Sequence, residues 1–293
     1  MTNSQPGILA PVPADARYLT FSLLPDSDPI EALEALAELA VDDSIVVGLG
    51  PSLLAAVGTE LPGMRSFPAM VGAGVEVPST PTALWCWLRG DDRGELLHCT
   101  RAVTTAVETA FLLEDVIDAF RFGSGLDLSG YEDGTENPEG DAAEQAGLIR
   151  EAGPGMDGGS FVAVQQWMHD LDSFMALEPD QRDNVIGRRI ADNEELEFAP
   201  ESAHVKRTAQ EDFEPEAFVL RRSMPWSDAA REGLVFVAFG KSFDAFEALM
   251  KRMVGLDDGI RDELFCFTRP VTGAYFWCPP VKDGRLDLSR LSG

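Results

Sequence analysis

Positive charge is what this 293-residue chain has least of: 23 Lys and Arg stand against 50 Asp and Glu, for a net charge of −27. Nucleic-acid binding runs on clustered cations against phosphate, so the balance argues against that partner. It argues equally against docking on an anionic membrane surface. Long apolar runs are missing too, and none approaches the roughly 20 residues of a membrane helix. Residues 1–16 hold no basic segment followed by an apolar one, so no secretory leader is expected and the expected location is the cytoplasm. Four cysteines, Cys86, Cys99, Cys266 and Cys278, lack metal-ligand spacing and read as buried free thiols. Only three histidines occur: His98, His169 and His204. What is present in quantity, 45% apolar and 25% charged residues, describes a globular chain of one large domain or two ordinary ones.

Apolar periodicity divides the chain into two halves with one rhythm. The first half reads as a strand at Tyr18–Leu24, a helix at Pro29–Ala40 and a strand at Ile45–Leu49. After an irregular, Pro- and Gly-rich stretch at Leu61–Pro81 come a strand at Ala83–Leu88, a helix at Arg93–Phe111 and a strand at Glu114–Phe122. The second half repeats β-α-β-β-α-β. It has strands at Ser160–His169, Ala217–Arg222, Gly233–Gly240 and Gly273–Cys278, with helical segments at Leu171–Ala176, Asp180–Ile190 and Ser242–Val254. The expected fold is α+β: two ferredoxin-like domains with antiparallel sheets, over residues 1–145 and 155–293. The Gly- and Ala-rich segment Gly140–Gly159 reads as the linker.

Three segments carry chemistry. In Gly130-Tyr131-Glu132-Asp133-Gly134-Thr135-Glu136-Asn137-Pro138, the glycines permit sharp bends on both sides of Asp133, and Pro138 keeps Asn137 out of the helical region. Such a loop aims the Asp133 carboxylate. Between Ile190 and Phe218 lies a patternless stretch of a length that is uncommon unless functional, and it contains His204. In Leu220–Pro225, strand alternation places Arg221 and Ser223 on one face and Arg222 on the other. His98 reads as half-buried helix packing. His169 ends a strand, where Asp170 or Asp172 can cap the next helix. A metal site from Asp133, Glu136, His169 and His204 is disfavoured, because no helical spacing brings them together.

Taken in order, these segments resemble the dye-decolourising peroxidase family. The carriers are Gly-x-x-Asp-Gly-Thr-x-Asn-Pro at 130–138, His-Asp-Leu at 169–171, Ile-Gly-Arg at 186–188, His204 on its loop, Arg-x-Ser-x-Pro at 221–225 and Val-Thr-Gly at 271–273. The resemblance spans nearly the whole chain. Ser223, where other members carry asparagine, is similar to the bacterial cytoplasmic branch. It implies haem b in the C-terminal domain. It also implies a peroxidase that reduces hydrogen peroxide through a ferryl intermediate while oxidising one-electron donors such as dyes, phenols, porphyrinogens or Mn(II). His204 would be the proximal ligand of the haem iron, with Asp262 accepting its other N–H. Asp133, Arg221 and Ser223 would form the distal catalytic set, Arg221 keeping Asp133 ionised. Arg188, and less strongly His169, would meet the propionates. Large donors would react at the surface through aromatic residues among Trp167, Trp226, Trp277, Tyr131 and Tyr275. A homo-oligomer is expected. The tail at 283–293, with Leu286, Leu288 and Leu291, loosely resembles tails that direct such peroxidases into encapsulin shells. A haem-handling or iron-release protein with weak peroxidase activity is the alternative.

Overall fold

In a computed structural model, which describes residues 3–40 and 42–291, the repeated rhythm becomes two similar sheets. The first contains β1 (Asp15–Leu23), β2 (Ile45–Leu49), β3 (Leu84–Gly90) and β4 (Phe111–Phe120), with α1 (Ile30–Leu39) and α2 (Arg93–Val107) between them. Helix α2 begins where the Asp92 carboxylate accepts from the N–H groups of Gly94 and Glu95. The second half opens with α3 (Gly140–Gly147) and contains β5 (Ser160–His169), β6 (Leu220–Arg221), β7 (Met224–Ser227), β8 (Glu232–Gly240) and β9 (Ala274–Cys278). Its helices include α4 (Pro179–Ile186), α5 (His204–Arg207) and α6 (Asp244–Met253).

The antiparallel orders are β2-β3-β1-β4 and β9-β5-β8-β7, the same arrangement in both halves when β6 and β7 are counted as one interrupted strand. Leu49 of β2 pairs with Trp277 of β9, and Ala119 of β4 pairs with Trp226 of β7. These two contacts close the sheets into one barrel, which leaves its member strands without free edges along the ring. Strand alternation supplies two apolar faces. The inner face packs Tyr18, Trp85, Trp87, Phe239 and Phe276, with the Tyr18 ring 6.1 Å from both tryptophans. The outer face packs α1, α2 and α6 through Leu33, Leu36, Val103, Phe246 and Met250. Each such buried side chain stabilises the fold by about 1.5–3 kcal/mol.

Several segments differ from their sequence reading. Gly140–Gly159 is not a free linker: α3 buries Ala143 and Ala146, and the residues after it are pinned by Ile149 N–H to Gly159 O at 2.8 Å and Gly158 N–H to Ile149 O at 3.0 Å. Its high alanine content hid a short apolar stripe. Within Leu61–Pro81, Met70–Gly72 and Val75–Val77 form a hairpin. His98 is exposed on α2, and Cys266 is exposed whereas Cys86 and Cys278 are buried. In the tail, Val281–Lys282 pairs with Arg285–Leu286, and Leu286, Leu288 and Leu291 pack into the outer core. The three leucines that resemble a shell-directing motif are thus engaged with the fold itself. Met1 and Thr2, read with the N-terminal stretch, and Ser292 and Gly293 of the tail lie outside the described residues. Among the described residues no helix is long and apolar enough to cross a membrane.

Candidate active site

A cavity of about 540 Å³ opens between the loop at residues 127–136 and the second half, within the size range of cofactor and small-molecule pockets. Its apolar lining comes from Phe236 on β8, from Phe246, Leu249 and Met253 on α6, and from Leu264. Its polar lining includes Asp133, His169, Arg188, His204 and Arg221. The structure therefore brings five of the seven expected site residues to one space.

His204 starts α5, a single turn anchored by contacts to Arg252, Asp258 and Glu263. Arg207 is buried and grips Asp258 with two 2.8 Å contacts while donating to Arg252 O at 2.7 Å. Glu263 N–H donates to Ser202 O at 2.8 Å on the other side of the turn. These ties hold a stretch without periodicity in one conformation. His204 Nδ1 lies 2.8 Å from Asp262 Oδ2. Asp262 has no solvent exposure, and its Oδ1 accepts from Leu264 N–H at 2.8 Å. Each carboxylate oxygen thus has its own partner, and the imidazole orientation is set from behind. His204 Nε2 has no hydrogen-bond partner among the described residues.

Asp133 is carried on the glycine loop as expected. Gly130 and Gly134 have φ of +91° and +79°, a region that side-chain-bearing residues avoid. Arg221 Nη1 stands 3.6 Å from Asp133 Oδ1, an ion pair without a direct hydrogen bond. Arg221 Nε is buried with no partner among the described residues. Arg222 is not in the cavity lining among the described residues, and it donates to Ile8 O at 3.2 Å and Leu9 O at 3.0 Å. Burial raises the Asp133 carboxyl above its ordinary range; the Arg221 charge opposes this and is the weaker influence. The expectation that Arg221 would dominate needs that correction.

Ser223 is not in the cavity lining among the described residues. The expected strand breaks after Arg221 and resumes at Met224, so alternation does not carry through. Arg222 N–H bonds to Val237 O at 2.8 Å, and the Ser223 hydroxyl accepts from Val237 N–H at 3.4 Å inside that gap. Asp262 also lies outside the lining, behind His204.

His169 lines the cavity with both ring nitrogens engaged, Nδ1 at 2.6 Å from Thr268 Oγ1 and Nε2 at 3.0 Å from Asp127 Oδ1. Burial pushes the Asp127 carboxyl up, but His169 and Ser129 together outweigh it and leave it below the usual carboxylate range. Arg188 Nη2 contacts Glu136 Oε1 at 2.7 Å, and Lys206 Nζ contacts Glu195 Oε1 at 2.7 Å. Sequence reasoning missed Asp127 and Asp183. The latter accepts a 2.5 Å hydrogen bond from Tyr131, a lining residue. Neither aspartate has a local signal, because each partner is remote in the chain. Among the described residues, no three His, Cys, Asp or Glu side chains cluster as a metal site, which leaves the four-residue non-haem set without support.

Residues 125–283 match the family model described as the C-terminal part of Dyp-type peroxidases. Asp133, Arg188, His204, Arg221 and Asp262 all fall inside that stretch, and the protein is a peroxidase. More narrowly, the chain belongs to the Dyp-type peroxidase family. It is 27% identical over 262 residues to the dye-decolorizing peroxidase of Mycolicibacterium paratuberculosis, covering 87% of this chain and 71% of that protein. Among solved structures it resembles a putative Dyp-type peroxidase from Shewanella oneidensis with a TM-score of 0.89 and 27% identity, covering 99% of this chain and 98% of that one. A variant of DypB from Rhodococcus jostii, solved in complex with heme, has a TM-score of 0.85 and 25% identity, covering 96% and 97%.

Proposed function

We propose that the protein is a haem b peroxidase that reduces hydrogen peroxide at the expense of one-electron donors, with His204 as the iron ligand. The observation that carries this reading is the divided imidazole of His204: Nδ1 is committed to buried Asp262, and Nε2, at the cavity, has no hydrogen-bond partner among the described residues. The residues present fit the group. An apolar wall of Phe236, Phe246, Leu249 and Met253 suits a porphyrin face, and a carboxylate behind a ligating histidine raises its basicity. Arg188 would meet a propionate in place of its Glu136 contact, a pairing that Arg geometry favours. When bound, the haem supplies the electron-transfer chemistry of peroxide reduction.

The chain's own residues handle the proton and the charge. Asp133 takes the proton from one peroxide oxygen and returns it to the other, so that water departs. The Arg221 guanidinium, with its unpartnered Nε–H, stabilises negative charge on the departing oxygen. Asp262 holds the imidazole of His204 in one orientation throughout. Ser223, whose hydroxyl accepts from Val237 N–H, is not in the cavity lining among the described residues. Dyes, phenols and porphyrinogens are the donor class. Of the five aromatic candidates, Trp167 and Tyr131 line the cavity, and Trp226 donates its Nε1–H to Trp167 O at 3.0 Å. Trp277 and Tyr275 are core residues.

The test is an absorption spectrum of haem-reconstituted wild type and His204→Ala before and after one equivalent of peroxide. A Soret band that responds rapidly to peroxide in wild type and is weakened or shifted in the variant is the expected result. A normal haem spectrum with no peroxide response favours haem handling instead. No haem uptake by the wild type sinks both.

A further inference from the structure

Asp133 and Arg221 come from different elements and share no hydrogen bond, yet they stand 3.6 Å apart. Something other than their own contact sets that separation. Arg221 lies on β6, whose backbone pairs with β8 along one side only. On the other side its N–H donates to Asn137 Oδ1 at 2.8 Å, and its C=O accepts from Asn137 Nδ2 at 2.9 Å. A carboxamide presents the same donor and acceptor as a peptide group, so Asn137 acts as one residue of a missing neighbouring strand. Asn137 N–H in turn donates to Gly134 O at 2.9 Å, directly after Asp133. The chain of bonds runs from the carboxylate loop to the arginine backbone through one side chain.

We propose that Asn137 is a positioning residue that fastens the Asp133 loop to the Arg221 strand and so sets the geometry of the acid–arginine pair. This rests on the proposed peroxide reaction. The only other donor and acceptor pair that ties the same loop to the same segment among the described residues is Gln210. It donates to Glu136 O at 3.1 Å and accepts from Val219 N–H at 3.0 Å. Gln210 keeps the loop attached when Asn137 is lost, so Asn137→Ala leaves a folded protein with a misplaced pair. Misplacement of reacting groups by about 1 Å costs on the order of 100-fold in rate.

The experiment measures the bimolecular rate of the peroxide-induced Soret change in the reconstituted wild type, Asn137→Ala, Arg221→Leu and the double variant. Amide hydrogen exchange of residues 218–224 is measured in the haem-free proteins. Asn137→Ala is expected to slow the reaction about 10- to 100-fold and to speed exchange at Arg221. In the Arg221→Leu background it is expected to cost less than about twofold, because coupled residues do not add. Asn137→Asp keeps the acceptor and loses the donor, so it falls between wild type and alanine, and it decides the matter should the alanine variant not fold. An equal loss in both backgrounds overturns the proposal, as does faster exchange with an unchanged rate. If Arg221→Leu alone reacts at the wild-type rate, the role of Arg221 in the reaction fails and the positioning role fails with it. If only Asn137→Ala does, the reaction stands and the positioning role alone fails.

Discussion

His204 and His169 line one cavity, each with an aspartate at hydrogen-bond distance, and the structure leaves them different capacities. His169 is 4% exposed and spends both nitrogens, on Thr268 and Asp127. His204 is 22% exposed and spends one, on Asp262. The carboxylates differ in the same sense. Asp127 shares its imidazole with a structural hydroxyl, whereas Asp262 orients an imidazole whose far side is open. On the proposed reading, the number of committed nitrogens, rather than the presence of a histidine–aspartate pair, distinguishes His204 from His169. Asp133 is a third case: its partner is a cation at 3.6 Å, and burial outweighs that cation.

If this contrast is correct, the carboxylate with no imidazole is the reactive one. Asp133→Asn should lower the peroxide rate by about 10²- to 10⁴-fold while the resting Soret band keeps its wild-type position, read by stopped-flow absorption. A shifted resting band would place Asp133 among the groups that hold the haem and blur the contrast.

Asp262→Asn tests the pair with the open nitrogen. Loss of the carboxylate behind a ligating histidine should weaken haem retention or peroxide rate by about 10- to 100-fold, measured by haem titration and by the Soret response. No change in either would reduce Asp262 to a cap for the turn at Leu264.

His169→Ala tests the closed pair, and its effect should fall on stability. Leaving the Asp127 carboxylate without its imidazole should cost about 1–3 kcal/mol, seen as a lower Tm with the axial-ligand spectrum unchanged. Because the folded-state pKa of Asp127 is lowered, its contribution is present above the usual carboxylate range and is lost as pH falls through that lowered value. The Tm gap between variant and wild type should therefore narrow on acidification. A changed axial-ligand spectrum would break the comparison outright.

The smallest effect is a displacement in pH. Burial holds the Asp133 pKa above its ordinary value, so the peroxide rate should fall on acidification at a pH above the usual carboxylate range. Removing the opposing cation in Arg221→Leu should move that fall to still higher pH, in a rate profile followed across the acid limb. Movement to lower pH would mean that Arg221 does not act on Asp133.

Much of this arrangement is legible in the amino-acid order. Local periodicity locates most strands and helices of both halves, because alternation and helical spacing are properties of neighbouring residues. Where a turn around Pro225 is expected, however, the chain forms the strand Met224–Ser227. The glycine loop announces Asp133. Where the backbone departs from regularity, the same reasoning fails. The break after Arg221 takes Ser223 out of the cavity lining, and the short helix α3 stands where a linker is expected. The pairing of His204 with Asp262 spans 58 residues and rests on family resemblance, since nothing local links the two.

By itself, then, the sequence determined the repeated element order, the sharp loop around Asp133 and the acidic character of the surface, all of which follow from composition and short-range pattern. Tertiary structure alone decided the closure of two sheets through Leu49–Trp277 and Ala119–Trp226, the open nitrogen of His204 against the closed pair of His169, and the net direction of the Asp133 pKa. Each of these depends on burial and on contacts between residues remote in the chain, and a one-dimensional pattern carries neither.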